Sequence, residues 1–298
     1  MCENKASQQN IEPVIGIIGG SGLYHIPGLI DQAWQEIDTP WGKPSDQLLT
    51  GKLNGVSCVF LPRHGRGHTK PPSRVNYRAN IAAMKKLGVT DIISVSAVGS
   101  LKEELPPGTF VIVDQTIDRT YKREKSFFDN GFVAHVSMAD PFCTRMGAVL
   151  YNEAKALGIS VVKNGIYLVM EGPQFSTRAE SNLYRSWGAS VIGMTNMPEA
   201  SLAREAEMCY ATVAMVTDYD CWHSDHDDVN VEAVIKIMQK NSEHAKQLLG
   251  KVIPQLGKKR HSCQMGCDHA LENAFITAPE KRDPELINRL KFIASRVL

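Results

Sequence analysis

The sequence has no apolar run approaching the ~18 residues that a membrane-spanning helix needs. Its opening stretch, MCENKASQQNIEP, is polar and lacks the apolar core of a secretory signal, so a cytosolic setting is expected. An excess of one charge is missing too. Lys and Arg number 33 against 32 Asp and Glu, a formal net charge of +1 over 298 residues, which excludes the broad basic field of a dedicated nucleic-acid binder. There is no repeat of solenoid period and no low-complexity linker. Gly-x-Ser-x-Gly and Gly-x-x-x-x-Gly-Lys-Ser/Thr are both absent. The dinucleotide fingerprint breaks at His25, which stands where Gly20 and Gly22 would call for a third glycine. Cysteine is present in an odd number, seven, from Cys2 to Cys267. In a reducing compartment these are expected as buried thiols rather than a disulfide framework.

What remains is ordinary globular material, 43% hydrophobic and 22% charged. Short apolar runs alternate with helical stretches. Strands are predicted at residues 14–18, 56–61, 91–95, 110–113, 166–170, 190–193 and 211–216. Helices are predicted at 74–87, 144–157, 177–187, 198–208 and 229–256, with Gly88 and Gly158 as stop signals. The alternation implies an α/β fold around a mostly parallel or mixed sheet covered on both faces. Residues 10–256 read as one domain, and 257–298, which open on the basic turn Gly257-Lys258-Lys259-Arg260, as a C-terminal appendage.

Four loops, each expected after a strand, carry chemistry-bearing residues, where open sheets of this class bind ligands. Gly19-Gly20-Ser21-Gly22 permits a close backbone approach to an anion, and equally a tight strand-to-helix turn. Arg63-His64-Gly65-Arg66-Gly67-His68 offers planar guanidinium forks and imidazole donors to an oxyanion. Its alternatives are a solvated basic loop or a His64/His68 metal pair, and the glycines argue against the helix such a pair needs. Ser96-Ala97-Val98-Gly99-Ser100 supplies small residues and hydroxyls, or a plain turn. In Thr217-Asp218-Tyr219-Asp220-Cys221-Trp222, two carboxylates one residue apart share a face if the strand continues, and can divide acid/base and recognition roles or cap the next turn. A metal reading of Cys221, His223, Asp225 and His226 lacks clean ligand spacing. In the tail, His261, Cys263, Cys267 and His269 form a candidate metal cluster, a candidate bridge, or a thiol-bearing loop.

Taken in order, the stretches IGIIGGSGLY, LPRHGRGH, PPSRVNYRANI, SAVGSL, VAHVSMADPFC, MEGPQFSTRAES, IGMTNMPEASLAREA and TDYDCW resemble the 5'-methylthioadenosine phosphorylase family, within the trimeric purine nucleoside phosphorylases. The resemblance spans about residues 13–256. It implies phosphorolysis of 5'-methylthioadenosine to adenine and 5-methylthioribose-1-phosphate, with inorganic phosphate as co-substrate and no metal or organic cofactor. It implies a homotrimer with sites at subunit interfaces, a hexamer being left open, and neither a nucleic-acid nor a membrane partner. Ser21, Arg63, His64, Ser96, Ala97 and Thr195 match phosphate contacts, with serine at 21 and 96 where threonine is also familiar. Met194 matches a ribose contact and His68 a loop residue near the sugar. Phe175 and Ser176 match the purine site, and Asp218 and Asp220 the pair that reads N7 and the 6-amino group. Val231, Val234 and Ile235 match the methylthio pocket, to which His135 is lent by a neighbouring subunit. The i, i+3, i+4 spacing of that trio is by itself ordinary helical core patterning. Competing expectations are a phosphorylase of 6-oxopurine nucleosides or methylthioinosine, and a non-catalytic purine binder.

Overall fold

The computed structural model of the chain describes residues 11–20, 23, 25–223, 231–260 and 262–298, with 231–234 as backbone only. Among the described residues, nine strands form one mixed sheet: β1 (Ile15–Gly19), β2 (Leu29–Gln35), β3 (Leu48–Leu53), β4 (Val56–Pro62), β5 (Asp91–Ser100), β6 (Phe110–Asp118), β7 (Val161–Val169), β8 (Val191–Gly193) and β9 (Cys209–Asp218). The order is β2-β3-β4-β1-β5-β8-β7-β6-β9, and β9 also pairs with β5. Strands β5, β8, β7, β6 and β9 therefore close into a ring, from which β1 to β4 extend as an open wing. The parallel pairings are β1–β4, β1–β5, β5–β9, β6–β7 and β7–β8, and the other four are antiparallel.

The near-continuous apolar strands of the sequence follow from burial on both faces. In β1, Ile15 and Ile17 face one core and Ile18 the other, as the two-residue period demands. Among the described residues there are six α-helices: α1 (Tyr77–Lys86), α2 (Thr144–Ala156), α3 (Arg178–Ser186), α4 (Glu199–Glu205), α5 (Val231–Leu256) and α6 (Pro284–Leu290). Helices α1 and α4 pack into the core that holds Ile18, while α2 and α5 pack into that of Ile15 and Ile17. Local chemistry sets their ends. The Asn76 side chain accepts from Ala79 N at the start of α1, and Gly88 follows it with φ 78°. Thr177 and Glu180 form a reciprocal capping box on α3.

Three expectations need correction. Strands β2 and β3 are not among the predicted strands: β2 is a largely exposed edge strand without a buried apolar run, and β3 is mostly buried but its apolar residues are interrupted by Thr50, Gly51 and Lys52. Residues 96–100 are not a loop but the second half of β5. The tail is no appendage in its packing: Leu271, Ala274, Leu286, Leu290, Ile293 and Ala294 are buried in the same core as Ile18, and Cys263 and Cys267 in the other. Residue 257 marks where the matched motifs stop, not where packing stops.

Candidate active site

At the carboxyl ends of β1, β5 and β9 lies a cavity of about 380 Å³. Its wall includes Gly20 after β1, Arg63 and His64 after β4, Ser96 to Gly99 on β5, and Met194 and Thr195 after β8. Asp218 and Asp220 close the end of β9, and His68 and Phe175 reach in from neighbouring loops. The topology thus brings ten residues singled out from sequence into one wall: Arg63, His64, His68, Ser96, Ala97, Phe175, Met194, Thr195, Asp218 and Asp220.

The carboxylate pair is built by β9 running out against β5. Asp218 Oδ1 accepts from the Asp220 backbone N–H at 2.8 Å, and Oδ2 accepts from Thr217 Oγ1 at 2.7 Å. The first bond is an Asx turn, so the turn-capping reading holds for Asp218 and fixes its orientation. Asp220 takes a left-handed φ of 52°. Its Oδ2 is buried and has no hydrogen-bond partner. Burial pushes both carboxyls above the ordinary aspartate range; for Asp220 the nearby Ser181 hydroxyl opposes this in part and the Asp218 charge adds to it, while for Asp218 the Thr217 hydroxyl and the Asp220 amide oppose it in part. Gly99 makes room for the pair: a Cβ there would stand 2.9 Å from Asp218 Oδ1 and 3.3 Å from Asp220 Cβ.

At the other end, Arg63 is 2% exposed. Its Nε donates to Glu199 Oε2 at 2.8 Å and Nη2 to Glu199 Oε1 at 2.9 Å, with further bonds to Ser94 Oγ and the carbonyls of Ile18 and Val95. Burial disfavours its charge, but the adjacent Glu199 carboxylate more than offsets this and raises the guanidinium pKa further. Glu199 also accepts from Ser94 Oγ and Tyr210 Oη. Most of the Arg63 fork is therefore committed to the protein. Among the described residues, one Nη1 proton is left for a ligand. Ser96 Oγ, in the same wall, is buried without a partner.

His64 differs from its expected role as a further donor. Its Nδ1 lies 2.9 Å from the Lys70 carbonyl, which only accepts, so the proton sits on Nδ1 and Nε2 carries a lone pair. Burial, and then the Arg63 charge, depress its pKa to about 4, keeping the ring neutral. His68 stacks on it with ring centroids 4.3 Å apart.

The remaining expected residues lie outside the described residues or outside the wall. Ser21 falls outside the described residues, as do the side chains of Val231 and Val234. Ile235 is 43% exposed; one to two turns later, the same helix puts Met238, Gln239 and Ser242 into the wall. Ser176 sits beside the cavity, with Oγ 3.8 Å from Met170 Sδ. His135 is exposed and donates its backbone N–H to the Ala274 carbonyl, away from this wall. Sequence reasoning missed Glu199, although it lies within a matched stretch, and Met238 and Ser242, which continue the 231/234/235 stripe at helical spacing.

The metal readings also change. His223 Nε2 pairs with Glu103 at 3.0 Å, while Asp225 and His226 fall outside the described residues. In the tail, His269 pairs with Asp268 and His261 falls outside the described residues. Cys263 and Cys267 instead converge with Cys143 and Cys209, away from the cavity.

A family model described as the phosphorylase superfamily matches residues 14–254. The S-methyl-5'-thioadenosine phosphorylase of Cereibacter sphaeroides is 58% identical over 288 residues, covering 97% of this chain and 99% of that protein. A crystal structure of a methylthioadenosine phosphorylase sourced from an antarctic soil metagenomic library superposes with a TM-score of 0.87 at 45% identity, covering 95% of this chain and 99% of the other. The methylthioadenosine phosphorylase of Schistosoma mansoni in complex with adenine superposes with a TM-score of 0.81 at 39% identity, over 87% and 96% of the two chains. With this extent of identity, fold and aligned length, the chain belongs to the S-methyl-5'-thioadenosine phosphorylase family of the phosphorylase superfamily.

Proposed function

We propose that the chain catalyses phosphorolysis of 5'-methylthioadenosine, giving adenine and 5-methylthioribose-1-phosphate. The observation that carries this reading is a cavity with an unsatisfied hydroxyl, Ser96 Oγ, and an unsatisfied carboxylate oxygen, Asp220 Oδ2, in one wall. A phosphate oxygen attacks C1' of the ribose, the C1'–N9 bond breaks, and its electron pair leaves on the purine. Phosphate is the nucleophile, so the protein's task is to orient it and to neutralise the departing base. The free Nη1 proton of Arg63 and Ser96 Oγ donate to phosphate oxygens, and neutral His64 accepts from a P–OH through Nε2. Asp218, with its raised pKa, supplies the proton that N7 takes up. Asp220 Oδ2 accepts from the 6-amino group. A 6-oxo group is itself an acceptor and meets that oxygen badly, which disfavours 6-oxopurine substrates.

The reaction calls on phosphate as co-substrate and on no metal or organic cofactor. No helix among the described residues is long and apolar enough to cross a membrane, and the proposed setting is the cytoplasm. The proposed assembly is a homotrimer, in which an exposed His135 serves a neighbouring copy's pocket. The purified chain, given methylthioadenosine with and without phosphate, is expected to release adenine only when both are present. Adenine released equally without phosphate would make it a hydrolase, and no release in either case a binder.

A further inference from the structure

We infer that Cys143, Cys209, Cys263 and Cys267 form a structural zinc site that fastens the C-terminal segment to the sheet. Their four sulfur atoms lie within 4.8 Å of one another, and all four residues are buried. A buried cysteine on its own is a small hydrophobe. Four that converge from three parts of the chain form a ligand set. Cys143 precedes α2 as its N-cap, Cys209 opens β9, and the other two come from the tail.

The geometry separates a metal site from two disulfides. A disulfide holds its sulfurs about 2 Å apart. Cys143 Sγ and Cys263 Sγ are 3.8 Å apart. Four thiolates at the zinc–sulfur distance of about 2.3 Å occupy the corners of a tetrahedron with edges of about 3.8 Å. The tail pair has the Cys-x-x-x-Cys spacing of a zinc chelate. Its turn is closed by the Gly266 N–H on the Cys263 carbonyl at 2.8 Å, with Gly266 at φ 66°.

The surroundings suit thiolates. Cys143 sits at the N-terminus of a 13-residue helix, where unpaired N–H groups favour negative charge. Arg260 Nη2 donates to Cys209 Sγ at 3.7 Å. Asp268 accepts from the Cys263 N–H at 2.8 Å and pairs with Arg260 at 3.1 Å, so the groups behind the ligands are themselves fixed. Four protein ligands leave no open position, which makes the site structural rather than catalytic. It also stands apart from the chemistry: Cys209 and Asp218 are at opposite ends of β9, ~30 Å apart at about 3.3 Å per residue.

The test is metal analysis of the full chain, purified in reductant without chelator from zinc-supplemented medium. About one zinc per chain is expected, released when a mercurial titrates the thiols. Cobalt exchanged into the site should give the intense visible bands of a tetrahedral tetrathiolate. The Cys263→Ser/Cys267→Ser double variant should lose the zinc and melt at lower temperature, with kcat retained below its melting point. Wild-type zinc below about a tenth of an equivalent, even after incubation with zinc and reductant, would overturn the site. So would iron in place of zinc, or peptide mapping that finds these four cysteines in disulfides. The wild-type readouts stand even if the double variant does not fold.

Discussion

At the scale of single residues, the two aspartates carry separable tasks. Asp220→Asn replaces one acceptor oxygen by a donor, which suits a 6-oxo purine. The variant is expected to lose activity on methylthioadenosine and gain it on methylthioinosine. Asp218→Asn should lose more, about 10²–10⁴-fold in kcat and on every substrate, because an amide cannot pass a proton to N7. Parallel loss of stability and activity in both variants, with no change in base preference, would make the pair structural. The pair is legible in the sequence because a strand runs straight into it; the space it occupies is not, since that depends on Gly99 of a different strand. The same distinction holds at Arg63: the sequence marks a buried guanidinium as an anion ligand, and only the fold reveals that Glu199, 136 positions later, holds most of it. His64 yields a pH prediction. Its folded pKa of about 4 lies below the unfolded value of about 6.5. As pH falls through this window the unfolded chain takes the proton first, so stability present above pH ~6.5 is lost on the way down to ~4, by roughly 3 kcal/mol. Glu205, pushed up to about 7 by burial, acts in the opposite sense, its stabilisation being present in acid and lost as pH rises through 7. That contribution cancels when wild type is compared with His64→Gln. Denaturant midpoints from pH 7 to 4 should fall more steeply in wild type; equal slopes would rule out a neutral His64.

At the scale of elements, the site is a product of strand ends. Strands β1, β4, β5 and β9 are legible in the sequence because each is apolar on both faces, and the motifs because they follow those strands. The end of β5 is not. Small residues such as Ser96, Ala97 and Gly99 read as a turn, yet β5 pairs with β9 along almost its whole length and with β8 at its end. Tertiary pairing overrode local propensity there, as strand propensity commonly yields to context. Gly99 is small because three neighbours crowd it: Asp218, Asp220 and Ile192. Gly99→Ala is therefore expected to displace the carboxylate pair. A misplacement near 1 Å can cost about 10²-fold in rate. Steady-state kinetics and melting curves on the variant check this: kcat should fall by about that factor with modest change in melting temperature, and unchanged kcat would show that the neighbours give way freely. Helix α5 teaches the converse. Among its described side chains, those in the wall are Met238, Gln239 and Ser242, which continue the spacing of the expected 231/234/235 stripe, whose first two side chains fall outside the described residues.

At the scale of the whole molecule, the tail decides what counts as the domain. The family resemblance stops at about residue 256, so the sequence alone places a boundary at 257. Packing contradicts it. Leu271, Ala274, Leu286, Leu290, Ile293 and Ala294 sit 5% exposed or less among side chains of the sheet core. Glu207, after α4, is bound to the tail through the Leu271 N–H at 2.9 Å and through Arg296 at 2.7 Å. Burying a leucine or isoleucine side chain contributes about 1.5–3 kcal/mol, and folded domains have only about 5–15 kcal/mol of net stability. Removal of four such residues, Leu271, Leu286, Leu290 and Ile293, is thus comparable with the entire margin. Truncation before Lys258 is expected to give insoluble protein or a loosely packed one that melts far below wild type, and to lose activity for that reason rather than by loss of a catalytic group. Leu290→Ala separates the two causes within the intact chain. It removes a fully buried side chain remote from the cavity wall, so it should cost about 2–5 kcal/mol while leaving kcat below the melting temperature near wild type. A truncated chain that stays soluble, melts like wild type and retains turnover would restore the tail to an appendage.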